Sequence, residues 1–429
     1  MRWPKNLKLW MWVAGLTLLL GGARALAQGG VWTTKAPMLV PSGFGAGAVV
    51  GDNLYVLGGF NSSLSPPLST VESYDPKTDA WVEKAAMPTP RAFMGAASLD
   101  GILYVVSGCS DMACFVPYLD AYNPKTNRWT SRAPILTARM NAAEAAADGK
   151  LYAMGGNVGD CITCGGVIAS VVAYDPATNT WAEKTPMPAP GADLVAASVD
   201  GVIYVLGPTQ SVLAYDPKAD SWTAKAPMPT RRYGFAVAVV DGIMYAFGGD
   251  DGRGNFLSTV ESYDPKTNSW NSEPPMPTPR KAMVADTIEG TIYVAGGFVV
   301  DSSTGQSVWL ATNEAFTPYL SVTIRVNPTT INLRSNAKIK VAILSSSTFD
   351  ATSVIPDSVK LSGALADTER NGTPIFSFDD VNDDGILDLV LTFRARDLQL
   401  TKADKQVVLK GQTFAGQLIK GVATVRIVP

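Results

Sequence analysis

The sequence predicts an all-β protein: a closed ring of repeated β units followed by a small β-sandwich. Three observations carry this expectation. One pattern recurs six times between residues 28 and 320. Asp-Gly pairs interrupt apolar runs inside it, and residues 321–429 change to short alternating strands without the repeat.

The repeats align by their landmarks. Diglycines or their remnants stand at Gly58-Gly59, Ser107-Gly108, Gly155-Gly156, Gly207-Pro208, Gly248-Gly249 and Gly296-Gly297. Turn triplets follow at Tyr74-Asp75-Pro76, Tyr122-Asn123-Pro124, Tyr174-Asp175-Pro176, Tyr215-Asp216-Pro217, Tyr263-Asp264-Pro265 and Phe316-Thr317-Pro318. Seven residues after each of the five tyrosines comes a tryptophan: Trp81, Trp129, Trp181, Trp222 and Trp270. A period of this size marks an array of supersecondary units, each unable to bury its face alone. This order and spacing resembles the kelch repeat. The resemblance implies a kelch β-propeller over residues 28–320, a fold whose members mostly bind partners.

Each copy reads as a four-stranded blade. Asp100-Gly101, Asp148-Gly149, Asp200-Gly201, Asp241-Gly242 and Glu289-Gly290 are two-residue hairpin signals, because these turns need positive φ. The strand after each turn, such as Ile102-Leu103-Tyr104-Val105-Val106, is apolar throughout, as a strand buried on both faces should be. The sixth copy lacks its tryptophan, since Thr323 stands seven residues past Phe316. An unmatched Trp32 lies in Val31-Trp32-Thr33-Thr34-Lys35-Ala36-Pro37-Met38, which parallels Ser221–Met228. The N-terminal strand is therefore expected to complete the last of six blades and to leave no open sheet edge.

Residues 1–27 read as a secretion signal. Arg2, Lys5 and Lys8 precede the apolar stretch Leu9–Gly22, and Ala25-Leu26-Ala27 is an A-x-A cleavage site. The expected mature chain starts at Gln28, has no transmembrane segment and is secreted or periplasmic. Removing the leader's four basic residues takes the formal charge from −3 to −7. Residues 321–429 hold 13 basic and 11 acidic residues, so the repeat region carries −9. Such an acidic scaffold argues against nucleic acid. Cys109, Cys114, Cys161 and Cys164 read as disulfides in an exported protein. Local pairs Cys109–Cys114 and Cys161–Cys164 are favoured, with a bridge between blades or a four-thiolate zinc site as alternatives. The chain contains no histidine. That removes Ser-His-Asp and Cys-His catalysis and most copper, iron and catalytic zinc chemistry. Galactose oxidase carries kelch-like blades but uses histidine copper ligands, so its activity does not carry over.

The second-to-third strand loops are long and irregular: Phe60–Pro67, Asn157–Ala169, Asp250–Leu257 and Phe298–Trp309. The fourth, Pro208–Ser211, is short and predicts a notch in the rim. Loops of this kind on a rigid ring are where binding usually resides. Arg91, Arg139, Arg232 and Arg280 recur before four innermost strands, with Ser42 and Gly191 in the other two copies. They are candidate ligand contacts for a carboxylate or sulfate. The competing reading is that they bond loop carbonyls. Glu144, Asp193 and Asp286 interrupt inner strands and are candidate acid/base groups on a sugar. Trp309 lies outside the repeat pattern and is a further candidate ligand contact.

Residues 321–429 predict an immunoglobulin-like sandwich with strands at 321–326, 337–345, 358–361, 387–393, 406–410 and 421–428. Ile331-Asn332-Leu333, Val341–Ser345 and Phe349-Asp350-Ala351 resemble a module at the ends of many exported bacterial proteins. Asp380-Val381-Asn382-Asp383-Asp384-Gly385-Ile386-Leu387-Asp388 fits a calcium-loop pattern. Side chains of Asp380, Asn382, Asp384 and Asp388 and the Ile386 carbonyl are the expected ligands, and calcium is the expected structural cofactor. The loop departs from an EF-hand, since Leu391 stands at the twelfth place. The leading functional expectation is non-catalytic binding of an extracellular glycan or protein through the loop face. The alternatives are a carbohydrate-active epimerase, mutarotase or lyase, since sialic-acid mutarotases share the kelch ring, and a structural cell-surface or matrix component.

Overall fold

The computed structural model describes residues 30–62, 65–111, 115–159, 166–301, 303–414 and 417–428. The expected leader lies outside these residues. So do Cys114, Cys161 and Cys164, which leaves only the buried Cys109 in view of the disulfide expectation.

Among the described residues, six four-stranded antiparallel sheets repeat along the chain from residue 31 to 317. Their innermost strands are Ala46–Val50, Gly95–Leu99, Ala143–Ala147, Val195–Val199, Ala236–Val240 and Val284–Ile288. Each inner strand touches the inner strand of the next sheet, and the sixth returns to the first, so the blades form a ring around a channel. Second strands such as Leu103–Val106 are buried on both faces, as their apolar composition requires.

The turns follow the residue types. Asp100 and Gly101 have φ of 51° and 76°, and the other Asp-Gly or Glu-Gly turns match. Both central residues at positive φ make the type I′ hairpin whose twist suits paired strands. Gly58 shows why a diglycine is needed. Its φ is 56°, and a Cβ there would lie 2.4 Å from the Arg91 carbonyl oxygen.

The blades are joined by one device used repeatedly. Trp81 Nε1 donates to the Ala36 carbonyl at 2.8 Å, and Trp129, Trp181, Trp222 and Trp270 reach the equivalent carbonyl of the preceding blade. Trp32 does the same to Pro274 at 3.0 Å. Strand Val31–Lys35 pairs with Asn313–Thr317, placing Trp32 opposite Phe316 as Trp81 lies opposite Tyr74. The tyrosine hydroxyls of the first five blades donate to Asp79, Asn127, Asn179, Asp220 and Asn268. Each of those acceptors also takes a backbone N–H from the neighbouring blade. The sixth blade has no contiguous third-to-fourth turn to supply such an acceptor, and there the hydroxyl is absent: the residue is Phe316.

Residues 320–428 form two facing sheets around one core that includes Ile339, Val341, Leu389, Leu391, Phe393 and Leu409. One sheet holds 324–327, 338–343, 388–394 and 376–379, and the other 320–321, 418–424, 406–412, 360–361 and 364–365. Two expected strands are divided. That at 321–326 becomes Leu320–Ser321 and Ile324–Asn327, in different sheets. The strand expected at 421–428 is divided into Leu418–Thr424 and Arg426–Val428, and the latter pairs in parallel with Thr330–Asn332. Strand Phe376–Asp379 was not expected although Phe-Ser-Phe-Asp alternates; it is short, lies at the sheet edge and leaves all four residues exposed. The module meets the ring through Lys410, whose ammonium lies 2.7 Å from the Asp241 carboxylate and over the Tyr319 ring.

Candidate functional site

The four arginines are not at a ligand surface. Arg91, Arg232 and Arg280 have no solvent exposure and Arg139 has 1%. Arg91 pairs with Asp120 and Arg232 with Glu261, both at 2.6 Å, and Arg280 pairs with Glu314 at 2.5 Å. These carboxylates lie two residues before the turn tyrosine or phenylalanine of the same blade. Arg139 faces Val172 at that place and bonds instead the carbonyls of Thr137, Gly155 and Ser170. The guanidinium is planar, always charged and rich in donors, so it can tie loop carbonyls and a strand together without losing its charge. The arginines thus build the blade, and the expectation that they contact ligand is corrected.

The mouth of the channel is made by the residues just before each inner strand. Phe44, Phe93, Asn141, Asp193, Gly234 and Ala282 all have φ between 51° and 60°. Backbone bonds link them blade to blade: Ala282 N to Gly234 O, Phe44 N to Ala282 O, Phe93 N to Phe44 O, and Asn141 N to Phe93 O, at 2.7–3.1 Å. At the fourth blade the donor shifts to Leu194 N, 3.3 Å from Asn141 O.

One side of this mouth is aromatic. Phe44 packs on Phe93 and Phe298, with centroids 4.8 and 5.2 Å apart, and Phe298 packs on Trp309 at 5.0 Å. Phe60 closes the group at 5.7 Å from Phe93 and 6.4 Å from Trp309. The rings, with Ser62 and Ser307, line a cup of about 270 Å³. Trp309 is half-buried in its wall. The other side is polar. Asp193 is exposed, and the Lys281 ammonium pairs with Asp250 while lying over Phe298 at 5.3 Å and Phe256 at 5.8 Å. The cup thus offers stacking surfaces with charged and hydroxyl groups beside them, a combination suited to an amphipathic ligand.

Below the mouth the channel encloses about 470 Å³. Glu144 and Asp286 line it, and among the described residues no arginine does. Asp193 is not among the lining residues, so the three candidate carboxylates do not converge with a guanidinium. Burial pushes the Glu144 carboxyl up to about 8, against the pull of Arg139. Burial also raises Asp286, while the Val49 and Thr287 amides, at 2.6 and 2.7 Å, stabilise its ionised form.

In the loop of the C-terminal module, Asp380 accepts the amides of Asp384 and Gly385, and Asp384 accepts that of Ile386. Asp383 and Gly385 take φ of 62° and 83°, which curls the loop. Asn382 Oδ1 is buried without a hydrogen-bond donor. Asp388 departs from the expected ligand set. It is fully buried and its two oxygens hold the Ser345 and Val381 amides at 2.8 and 3.0 Å, so it anchors the loop. Among the described residues, no three His, Cys, Asp or Glu side chains converge in a metal-holding group.

A family model for the kelch motif matches residues 43–88, 90–134, 138–188 and 231–277. The chain carries kelch repeats. Kelch-like protein 13 of Mus musculus is 34% identical over 80 residues, which is 18% of this chain and 12% of that protein. Kelch-like ECH-associated protein 1A of Danio rerio is 37% identical over 81 residues, 18% of this chain and 13% of that protein. The kelch similarity therefore spans only about an eighth of these relatives. The solved structure of YjhT aligns with a TM-score of 0.55 at 18% identity, covering 65% of this chain and 95% of that one. At that identity the likeness is one of fold.

Proposed function

We propose that this kelch protein is a non-catalytic recognition protein that binds an extracellular glycan or protein through the loop face of a six-bladed propeller. The aromatic cup at the channel mouth carries the reading, because it is concave, apolar and rimmed by polar groups. On the same reading residues 1–27 are a leader, and residues 321–429 are an immunoglobulin-like module steadied by calcium. The test is a glycan and polysaccharide array probed with residues 28–429 and with Trp309→Ala. The expected result is a specific hit weakened at least about 10-fold by the substitution, as truncating a central aromatic anchor does. A hit of equal strength in both proteins overturns the cup as the site. No hit directs the search to a protein partner, with the same variant as control.

A carbohydrate-active epimerase, mutarotase or lyase is the second reading, favoured by the Glu144 and Asp286 carboxyls in the channel wall. For calcium, the side chains of Asp380, Asn382 and Asp384 and the Ile386 carbonyl would supply hard oxygen ligands, and the buried acceptor of Asn382 fits that role. Calcium is expected to raise the melting temperature of the full chain and Asp384→Ala to abolish the rise. An unchanged melting temperature in calcium and in chelator removes the proposal.

A further inference from the structure

We propose that the central channel is a binding site for a small organic ammonium ion, with Glu144 as its counter-charge. Two departures from the repeat meet at this point. The strand register places Glu144 level with Gly47, Ala96, Ala196, Val237 and Ala285 of the other blades, so one ionisable side chain interrupts an aliphatic collar. The inner strand of the second blade begins with Gly95, where the others begin with Ala46, Ala143, Val195, Ala236 and Val284. A Cβ on residue 95 would lie 1.7 Å from Glu144 Oε2. The glycine is the seat of the carboxyl, and among the described residues no side chain or amide donates a hydrogen bond to that carboxyl's oxygens.

The surroundings select the ligand. Among the described residues no lysine or arginine lines the channel, and Asp286 is its other ionisable group. Arg139 acts on Glu144 electrostatically, but its own donors are spent on carbonyls and on Ser170. The neighbouring inner strands Gly95–Leu99 and Val195–Val199 bring no titratable side chain. A metal ion asks for a shell of hard oxygens. This wall offers two carboxyls on the third and sixth blades, set among Leu194, Val237, Val239 and small residues. An alkylammonium satisfies both features, presenting its charge to Glu144 and its methylenes to the collar.

Glu144 must be ionised to serve as counter-charge. Its carboxyl is held neutral up to about 8, so binding at lower pH releases one proton. The experiment titrates n-butylammonium into the full chain by calorimetry in two buffers of different ionisation enthalpy, with n-butanol as the uncharged control. Binding is expected for the amine only, weakened at least about 10-fold in Glu144→Gln, since an unpaired desolvated ammonium is costly. Affinity should rise about tenfold per pH unit and level off near 8, with proton release below that point. Gly95→Ala, which unseats the carboxyl, should weaken binding too. Equal binding by Glu144→Gln, equal binding of n-butanol, or no binding of the amine at any pH overturns the proposal. None of these outcomes bears on the aromatic cup.

Discussion

Blade five and blade four have the same four strands and opposite interiors. In blade five Arg232 is buried, pairs with Glu261 at 2.6 Å and bonds the Gly248 and Thr259 carbonyls. In blade four the corresponding residues are Gly191 and Leu213, so cation and anion are both gone. The diglycine has become Gly207-Pro208, the loop shrinks to 208–211, and the backbone belt around the mouth shifts by one residue. Blade one keeps only the acid, Glu72, which accepts the Leu39 and Val40 amides instead. The buried pair behaves as one unit in blades two, five and six. Where it is wholly absent, as in blade four, the loop above loses its tether and its length. Blade one, with Ser42 in place of the arginine, keeps the long loop 60–67, so the short rim accompanies loss of both partners and not of the arginine alone.

This comparison can be broken most severely in blade five. Glu261→Ala leaves Arg232 buried without its counter-charge and is expected to cost about 3–5 kcal/mol in denaturant unfolding. Arg232→Met with Glu261→Leu converts the blade toward its neighbour's chemistry, and recovery of most of that loss is expected. A double variant as unstable as the single one would show that the pair does more than satisfy its own charges. A smaller effect comes from Glu273, which has no acidic counterpart in blade four. Burial raises its carboxyl to about 7 despite the Ser262 hydroxyl. The folded state thus binds a proton more tightly than the unfolded one. The stability this provides is present at low pH and is lost as pH climbs from about 4.5 to about 7, by about 1–3 kcal/mol. Glu273→Gln should flatten the slope, and hydrogen exchange should place the change in blade five. The smallest effect is expected from the shared clamp: Trp222→Phe and Trp270→Phe each lose one indole bond, about 1 kcal/mol apiece by thermal melting. Unequal losses would show that the blades differ in their outer seams as well.

Much of this architecture is legible in the residues. Trp32 had no partner tyrosine nearby, and its sequence context identified it as the missing outer strand. The Asp-Gly turns follow from the φ angles they need. The arginine pairing was not read: Glu72, Asp120, Glu261 and Glu314 hold one place in the repeat, but blade one keeps the acid without the arginine and blade three the arginine without the acid. Recognising it required reading two columns of the repeat at once. The aromatic cup was less accessible. Phe60 and Phe298 both follow a diglycine, which is a weak signal, but Phe44 and Phe93 join them only through a left-handed backbone that phenylalanine seldom adopts. Strand pairing over long range, which no local pattern encodes, brings the four rings together.

The closing strand also dictates an order of events. Val31–Lys35 is synthesised before every other strand of the ring, yet its partner Asn313–Thr317 lies about 280 residues downstream. Loop-closure entropy grows only slowly with length, so the final pairing costs little more than a shorter one would. It is slow, however, because contacts of such high sequence separation form late. Throughout synthesis the first blade must wait with its seam toward the sixth uncovered, and the nascent ring remains an open arc that can capture a second chain in place of its own end.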